Sequence, residues 1–291
     1  MARRRLSEWI AGALLVLALA SASLLRAAAP EAATAPATPP TQAGAAGVTC
    51  RTLCEGTPFA TPCYVVSSGK EGPTVLVVAG FHGNEPAGAA AAEDIRRWKV
   101  AVGRLVVIPK ANKPALDAGT RSMPKKVAPA MEGNLNRDFP SDPAQPIKGP
   151  LAQAIWAVVQ EMKPDWVIDL HEGTGFSAAG TRTVGSSIIH SGTQKARAMA
   201  DRMCQAVNET IPEADKKFVL KKLPVEGSLA RAAADRRGIS SMILETSRGS
   251  QPLALRARQH RLMVQRLLTE LGMAAGDVDD MPRDRDTVKA D

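Results

Sequence analysis

Two apolar runs that each end in a histidine, set in a regular alternation of strand-like and helix-like segments, predict an α/β fold. The expected architecture is a three-layer sandwich: a mostly parallel mixed sheet with helices on both faces. Residues 75–80 form a continuous apolar run, the pattern of a strand buried on both sides. Residues 86–98 are Ala-rich and helix-like, with Pro86 placed at the start. Residues 105–109 supply the next strand. A stretch rich in Pro, Gly and Asn follows over 110–150, too long for an ordinary connection and so a candidate functional loop.

Residues 151–162 read as an amphipathic helix and 166–170 as a second buried strand. A strand over 186–189, helices over 193–211 and 227–237, a strand over 241–244 and a helix over 253–271 complete the alternation. No internal repeat and no second domain are visible. The expected organisation is a targeting segment at 1–22, a flexible Ala/Pro/Thr-rich linker at 23–47 and one domain over 48–272. A charged tail, read as disordered, closes the chain at 273–291.

A chain of 291 residues with 45% hydrophobic and 23% charged residues buries a substantial core. Aromatic residues are only 3%, with Tyr64 the single tyrosine, which argues against a stacking platform for single-stranded nucleic acid. The net charge of +8 is scattered rather than clustered, so no nucleic-acid partner is expected; a basic protein suits small anionic substrates.

The start combines Arg3, Arg4 and Arg5, an apolar run over 9–20 and the small-residue site Ala20-Ser21-Ala22, the pattern of an export signal. The expected location is periplasmic or otherwise exported. The rival is an uncleaved membrane anchor over 9–25, at the short limit for a span. Of Cys50, Cys54, Cys63 and Cys204, two of the first three are expected to pair in an oxidising compartment.

The first buried strand runs into Phe81-His82-Gly83-Asn84-Glu85, and the second runs into His171. Sites in open α/β sheets form beyond the carboxyl ends of strands, so two strands deliver one histidine each to one edge. Two imidazoles and a carboxylate with an open position are what a catalytic zinc requires. Taken singly, His-x-x-Glu and a histidine after a strand are weak signals, more often hydrogen-bonded loop residues. His190, which also follows a strand, competes with His171 but has no neighbouring carboxylate. His260, among arginines in the last helix, reads as a surface residue.

Four motifs in order carry a family resemblance. Gly80-Phe81-His82-Gly83-Asn84-Glu85 resembles the first metal motif of the zinc carboxypeptidase clan, in particular its succinylglutamate desuccinylase/aspartoacylase branch. Asn134-Leu135-Asn136-Arg137-Asp138-Phe139-Pro140 resembles the Asp-Leu-Asn-Arg-x-Phe-Pro motif of that branch. Asp169-Leu170-His171 is similar to its third-ligand motif and Ile243-Leu244-Glu245 to its catalytic-glutamate strand.

The resemblance implies a zinc carboxypeptidase-like fold and one zinc per chain, held by His82, Glu85 and His171. It implies Glu245 as the general base of an amide hydrolase. Asn136 and Arg137 would bind a substrate carboxylate, to which the planar guanidinium is suited. Arg121, in Arg121-Ser122-Met123-Pro124, would stabilise the oxyanion. Asn134 stands where the motif has an aspartate that orients the first zinc histidine; an amide still accepts that bond but without charge. Tyr64 lies before the first motif, so the mobile tyrosine of digestive carboxypeptidases has no counterpart.

The expected reaction is cleavage of an amide near a free carboxylate, by a carboxypeptidase or deacylase. Two substrate classes remain, small anionic peptides such as short cell-wall peptides and N-acyl amino acids. A zinc- or peptide-binding module without catalysis is the rival from another class, and the retained Glu245 counts against it. Aspartoacylase-like enzymes carry a β-rich domain after the catalytic glutamate, where this sequence has one helix and a charged tail. A cleft covered only by loops 110–150 and 173–185 is therefore expected, which favours peptides.

Overall fold

The computed structural model describes residues 45–127, 133–248 and 251–274. The expected targeting segment 1–22, all but the end of the linker, and the tail beyond 274 lie outside the described residues. The described chain builds one eight-stranded sheet, flanked by six α-helices. The strands are β1 (Gly47–Leu53), β2 (Thr61–Ser67), β3 (Thr74–Ala79), β4 (Arg104–Ile108), β5 (Trp166–Gly173), β6 (Ser187–His190), β7 (Val219–Lys222) and β8 (Ser240–Ser247). The helices are α1 (Pro86–Ile95), α2 (Lys113–Ala118), α3 (Pro150–Met162), α4 (Gln194–Asn208), α5 (Leu229–Arg237) and α6 (Leu253–Glu270).

The sheet runs β1-β2-β4-β3-β5-β8-β6-β7. Its centre, β4-β3-β5-β8, is parallel; β1, β2 and the β6–β8 pairing add antiparallel contacts toward the edges. Every residue of β3, β5 and β8 is buried. That follows from covering both faces, and it explains why these strands read as continuous apolar runs rather than alternating ones. Alternate residues divide between two cores. Val75, Val77, Trp166, Ile168, Leu170 and Leu244 pack with α1, α4 and α6. Leu76, Val78, Val106 and Val167 pack with α3 and α5.

The structure departs from the sequence expectation in three places near the site. Inside 110–150 lies α2, with the Asn112 side chain accepting from the Ala115 amide, Pro114 in the first turn and Gly119 as a left-handed cap. Those are ordinary start and stop signals that the surrounding loop composition obscured. Strands β5 and β8 run beyond 170 and 244, so His171 and Glu245 lie within paired strands rather than after them. His260 is completely buried rather than on the surface, because α6 turns it toward Thr246 of β8.

The expected disulfide is also corrected: all four cysteines are free thiols. In the β1–β2 pairing, Cys50 is opposite Tyr64 and Arg51 opposite Cys63, so Cys50 and Cys63 leave opposite faces of the ribbon. The Cys54 thiol instead lies against the Pro150 carbonyl.

Candidate metal centre

The turn after β3 is tight because α2 crosses it. A Cβ on Gly83 would sit 1.7 Å from the Ala115 carbonyl oxygen, so no other residue fits between His82 and Glu85 at that position. The Gly83 amide donates to the Thr120 carbonyl, pinning the turn. Glu85 is the residue before α1, yet its side chain does not cap that helix. Its carboxylate turns to the histidines instead. One oxygen lies 2.8 Å from His82 Nδ1, the other 2.8 Å from His171 Nδ1.

On the sheet, His171 is directly opposite Glu245 and Glu245 is directly opposite Ser187. Residues directly opposite share a face, so β5, β8 and β6 set these three side chains side by side. Both histidines are held from behind through Nε2. Asn134 Oδ1 lies 2.7 Å from His82 Nε2 and also accepts from the Asn136 amide, which fixes the oxygen toward the ring. Asp169 Oδ2 lies 2.9 Å from His171 Nε2. With Nε2 of each ring held from behind, both Nδ1 atoms face Glu85, the arrangement that orients imidazoles as metal ligands.

His82, Glu85 and His171 are each 3% exposed, and their nearest ligand atoms all lie within 4.8 Å of one another. A four-coordinate divalent ion with bonds of ~2.0–2.2 Å holds its ligands roughly 3.3 Å apart, so this N, N, O donor set fits one. The electrostatics agree. Burial alone would raise the Glu85 carboxyl, but hydrogen bonds and charge from His171 and His82 bring it well below the usual range. Burial would lower His171, but Asp169 and Glu85 hold it well above the ordinary imidazole value. Burial pushes Glu245 up to about 8, with His171 pulling it down and Glu85 and Asp169 pushing it further up.

The other expected residues take distinct places. Arg121 is exposed at the mouth, and its guanidinium donates to Glu85 Oε1 at 2.8 Å. Arg137 is exposed, its guanidinium donates to the Asn136 carbonyl, and partial burial and the charge of Arg121 both lower its pKa. Asn136, expected at the substrate's carboxylate, is 2% exposed and turned inward. Its oxygen accepts from the Leu229 amide at the start of α5, and its nitrogen lies 2.9 Å from His171 Nε2 and 3.3 Å from Asp169 Oδ2. His190 lies in β6 with Nδ1 accepting from the Gly192 amide, and it is not part of the ligand group. Asp169 and Glu172 escaped the sequence reading as separate residues. The available signal was charge inside an otherwise apolar, fully buried strand.

Residues 71–271 match the succinylglutamate desuccinylase/aspartoacylase catalytic domain. The chain belongs to this family. It is a family of zinc-type hydrolases, and this member carries the buried His82, Glu85 and His171 triad. A stretch of 115 residues is 38% identical to the N-alpha-acetyl-L-2,4-diaminobutyric acid deacetylase of Halomonas elongata, covering 38% of this chain and 32% of that protein. A succinylglutamate desuccinylase/aspartoacylase structure from Rhodobacter sphaeroides superimposes with a TM-score of 0.59 at 22% identity, over 80% of this chain and 68% of that one. The tripeptide-bound Csd4 protein of Helicobacter pylori gives a TM-score of 0.58 at 24% identity, over 69% and 52%. These structural likenesses establish the fold. The chain spans about a third of the curated relative and about half of the Csd4 chains.

Proposed function

We propose that the protein hydrolyses an amide bond beside a free carboxylate, using one zinc ion held by His82, Glu85 and His171. The observation that carries this reading is the placement of Glu245 beside His171 in strand register, with Arg121 against Glu85. His82, Glu85 and His171 would hold the zinc, which when bound would supply Lewis-acid polarisation of the scissile carbonyl and a lowered pKa of ~7 for water. Glu245 takes the proton of the attacking water and returns it to the departing amine, the general acid/base role. Arg121, which donates to Glu85 at the ligand group, would turn to the carbonyl oxygen as it gains charge. Arg137 binds the substrate carboxylate. Asn136 holds His171, Asp169 and the start of α5 together beside the ligand group.

Within this reaction, the deacetylase relative favours small N-acyl amino acids. The second reading, short anionic peptides in the periplasm, is supported by the export-like pattern at the start of the sequence. The deciding experiment compares kcat/KM for N-acetyl-2,4-diaminobutyrate, N-acetylaspartate and N-succinylglutamate with a murein tripeptide, each as free acid and as carboxyl amide. Faster cleavage of the free acids is expected, with the preference lost in Arg137→Ala through a raised KM. Equal cleavage of acid and amide forms by the native protein would remove the carboxylate anchor from the mechanism.

A further inference from the structure

Glu85 lends its carboxylate to the histidines and so gives up a task its position would otherwise assign it. It precedes α1 with φ −123° and ψ 66°, and its side chain makes no cap hydrogen bond. The first-turn amides of a helix have no partner inside the helix and carry its positive dipole end. Pro86 has no amide to satisfy. The Ala87 amide donates at 2.8 Å to Glu172 Oε2, a side chain from another strand.

Glu172 follows His171 on β5 and, by strand alternation, points to the opposite face of the sheet. Its side chain is completely buried, and its other oxygen accepts from the Arg256 guanidinium of α6. Arg256 is fixed in turn by donating to the Gln251 carbonyl at 3.1 Å. The backbone amide of Glu172 donates to Glu85 Oε2 at 3.2 Å. One residue therefore touches the Glu85 carboxylate through its main chain and the helix after Glu85 through its side chain. The fit is close, since a Cβ on Gly88 would lie 2.7 Å from the Leu170 carbonyl oxygen.

We infer that Glu172, pinned by Arg256, is a positioning residue for the metal site: it caps α1 in place of Glu85 and thereby holds Glu85 at the two histidines. The inference rests on the metal reading above. With the cap gone, the Ala87 amide is left buried without an acceptor and the start of α1 shifts to find one. The Glu85 carboxylate moves with it.

The test measures Zn2+ affinity by competition with a chromogenic chelator, together with the melting temperature of the metal-free protein. Glu172→Ala should weaken affinity by about 10–100-fold, the usual scale for groups supporting metal ligands. Glu172→Gln, whose amide oxygen still accepts from Ala87 but whose NH2 cannot accept from Arg256, should recover part of the loss. Leu267→Ala, on α6 in the core shared with α1, should lower the melting temperature without this loss of affinity. Glu172→Met replaces the alanine variant if the latter does not fold. Arg256→Lys gives an independent arm, with weakened affinity expected. Native affinity in Glu172→Ala or Glu172→Met, a loss no greater than that of Leu267→Ala, or unchanged affinity in Arg256→Lys overturns the inference. A native protein that binds no Zn2+ would instead overturn the metal reading itself.

Discussion

The two faces of β5 bury charge in opposite ways. Asp169 and His171 look to the face that also carries Glu245, and there the ionisable groups converge on one point. Leu170 and Glu172 look to α1 and α6, where the charged groups pair off, Glu172 with Arg256 and the Ala87 amide, and the His260 Nε2 lies against Thr246. A buried charge is costly unless it is paired or holds a metal. The second face meets that condition from within the chain. The first leaves two Nδ1 atoms around one carboxylate, a cluster that a divalent cation completes. Convergence rather than burial marks the functional face.

The largest effect expected from this contrast is on Glu245. Glu245→Gln should keep the metal and the fold while lowering kcat by about 10²–10⁴-fold, the range for loss of a general base. Steady-state turnover with metal analysis on the same sample checks it. Near-native kcat would remove Glu245 from the chemistry and leave the first face with a metal site alone.

The candidate ligand residues were legible because a histidine or glutamate at the end of an apolar strand stands out against its neighbours. The same logic found the central strands β3, β4, β5 and β8. It missed β1, whose first six residues are exposed, the half-buried β2 and the lysine-bearing β7, since none is buried on both sides. It missed α2 because six residues are too few to show a helical period, although Asn112, Pro114 and Gly119 mark its ends. His260 was misread because its arginine neighbours suggested a surface, whereas Ala257, Val264, Leu267 and Leu268 share its burial. The motif pointed Asn136 to a substrate carboxylate; no local pattern encodes the contacts that hold its side chain, with His171 and with Leu229 93 positions away.

Next in size is loss of a ligand. His171→Ala should abolish stoichiometric metal binding, and His190→Ala should leave it intact, as elemental analysis of both purified variants will show. The reverse outcome would move the site from β5 to β6 and dissolve the contrast between the two faces.

A smaller effect sharpens the comparison within the first face. His171 is backed by the fully buried carboxylate of Asp169, whereas His82 is backed by the neutral amide of Asn134. Charge behind an imidazole raises its basicity as a ligand. Asn134→Asp keeps both acceptor contacts and adds that charge. It should tighten metal binding by up to about tenfold, within the scale of such outer contacts. Chelator competition measures it, and weaker binding would mean that the neutral amide is required here.

The smallest effect is expected on the other face, from a change made to both members of a pair. Thr246 Oγ1 and His260 Nε2 lie 3.2 Å apart, and both residues are completely buried. Burial drives His260 down to about 3, so the ring is neutral at working pH and carries no charge toward the metal site. His260→Leu alone would leave the threonine hydroxyl without its partner, which typically costs about 1–3 kcal/mol. Thr246→Val with His260→Leu removes both polar groups while keeping similar shape, and such paired replacements are close to neutral. The double variant should therefore unfold within about 1 kcal/mol of the native protein, with metal content and kcat unchanged. Denaturant unfolding and turnover on the same preparation check both halves. If the double variant kept its stability but lost metal or activity, the pair would belong to the site, and the division of labour across β5 would be wrong.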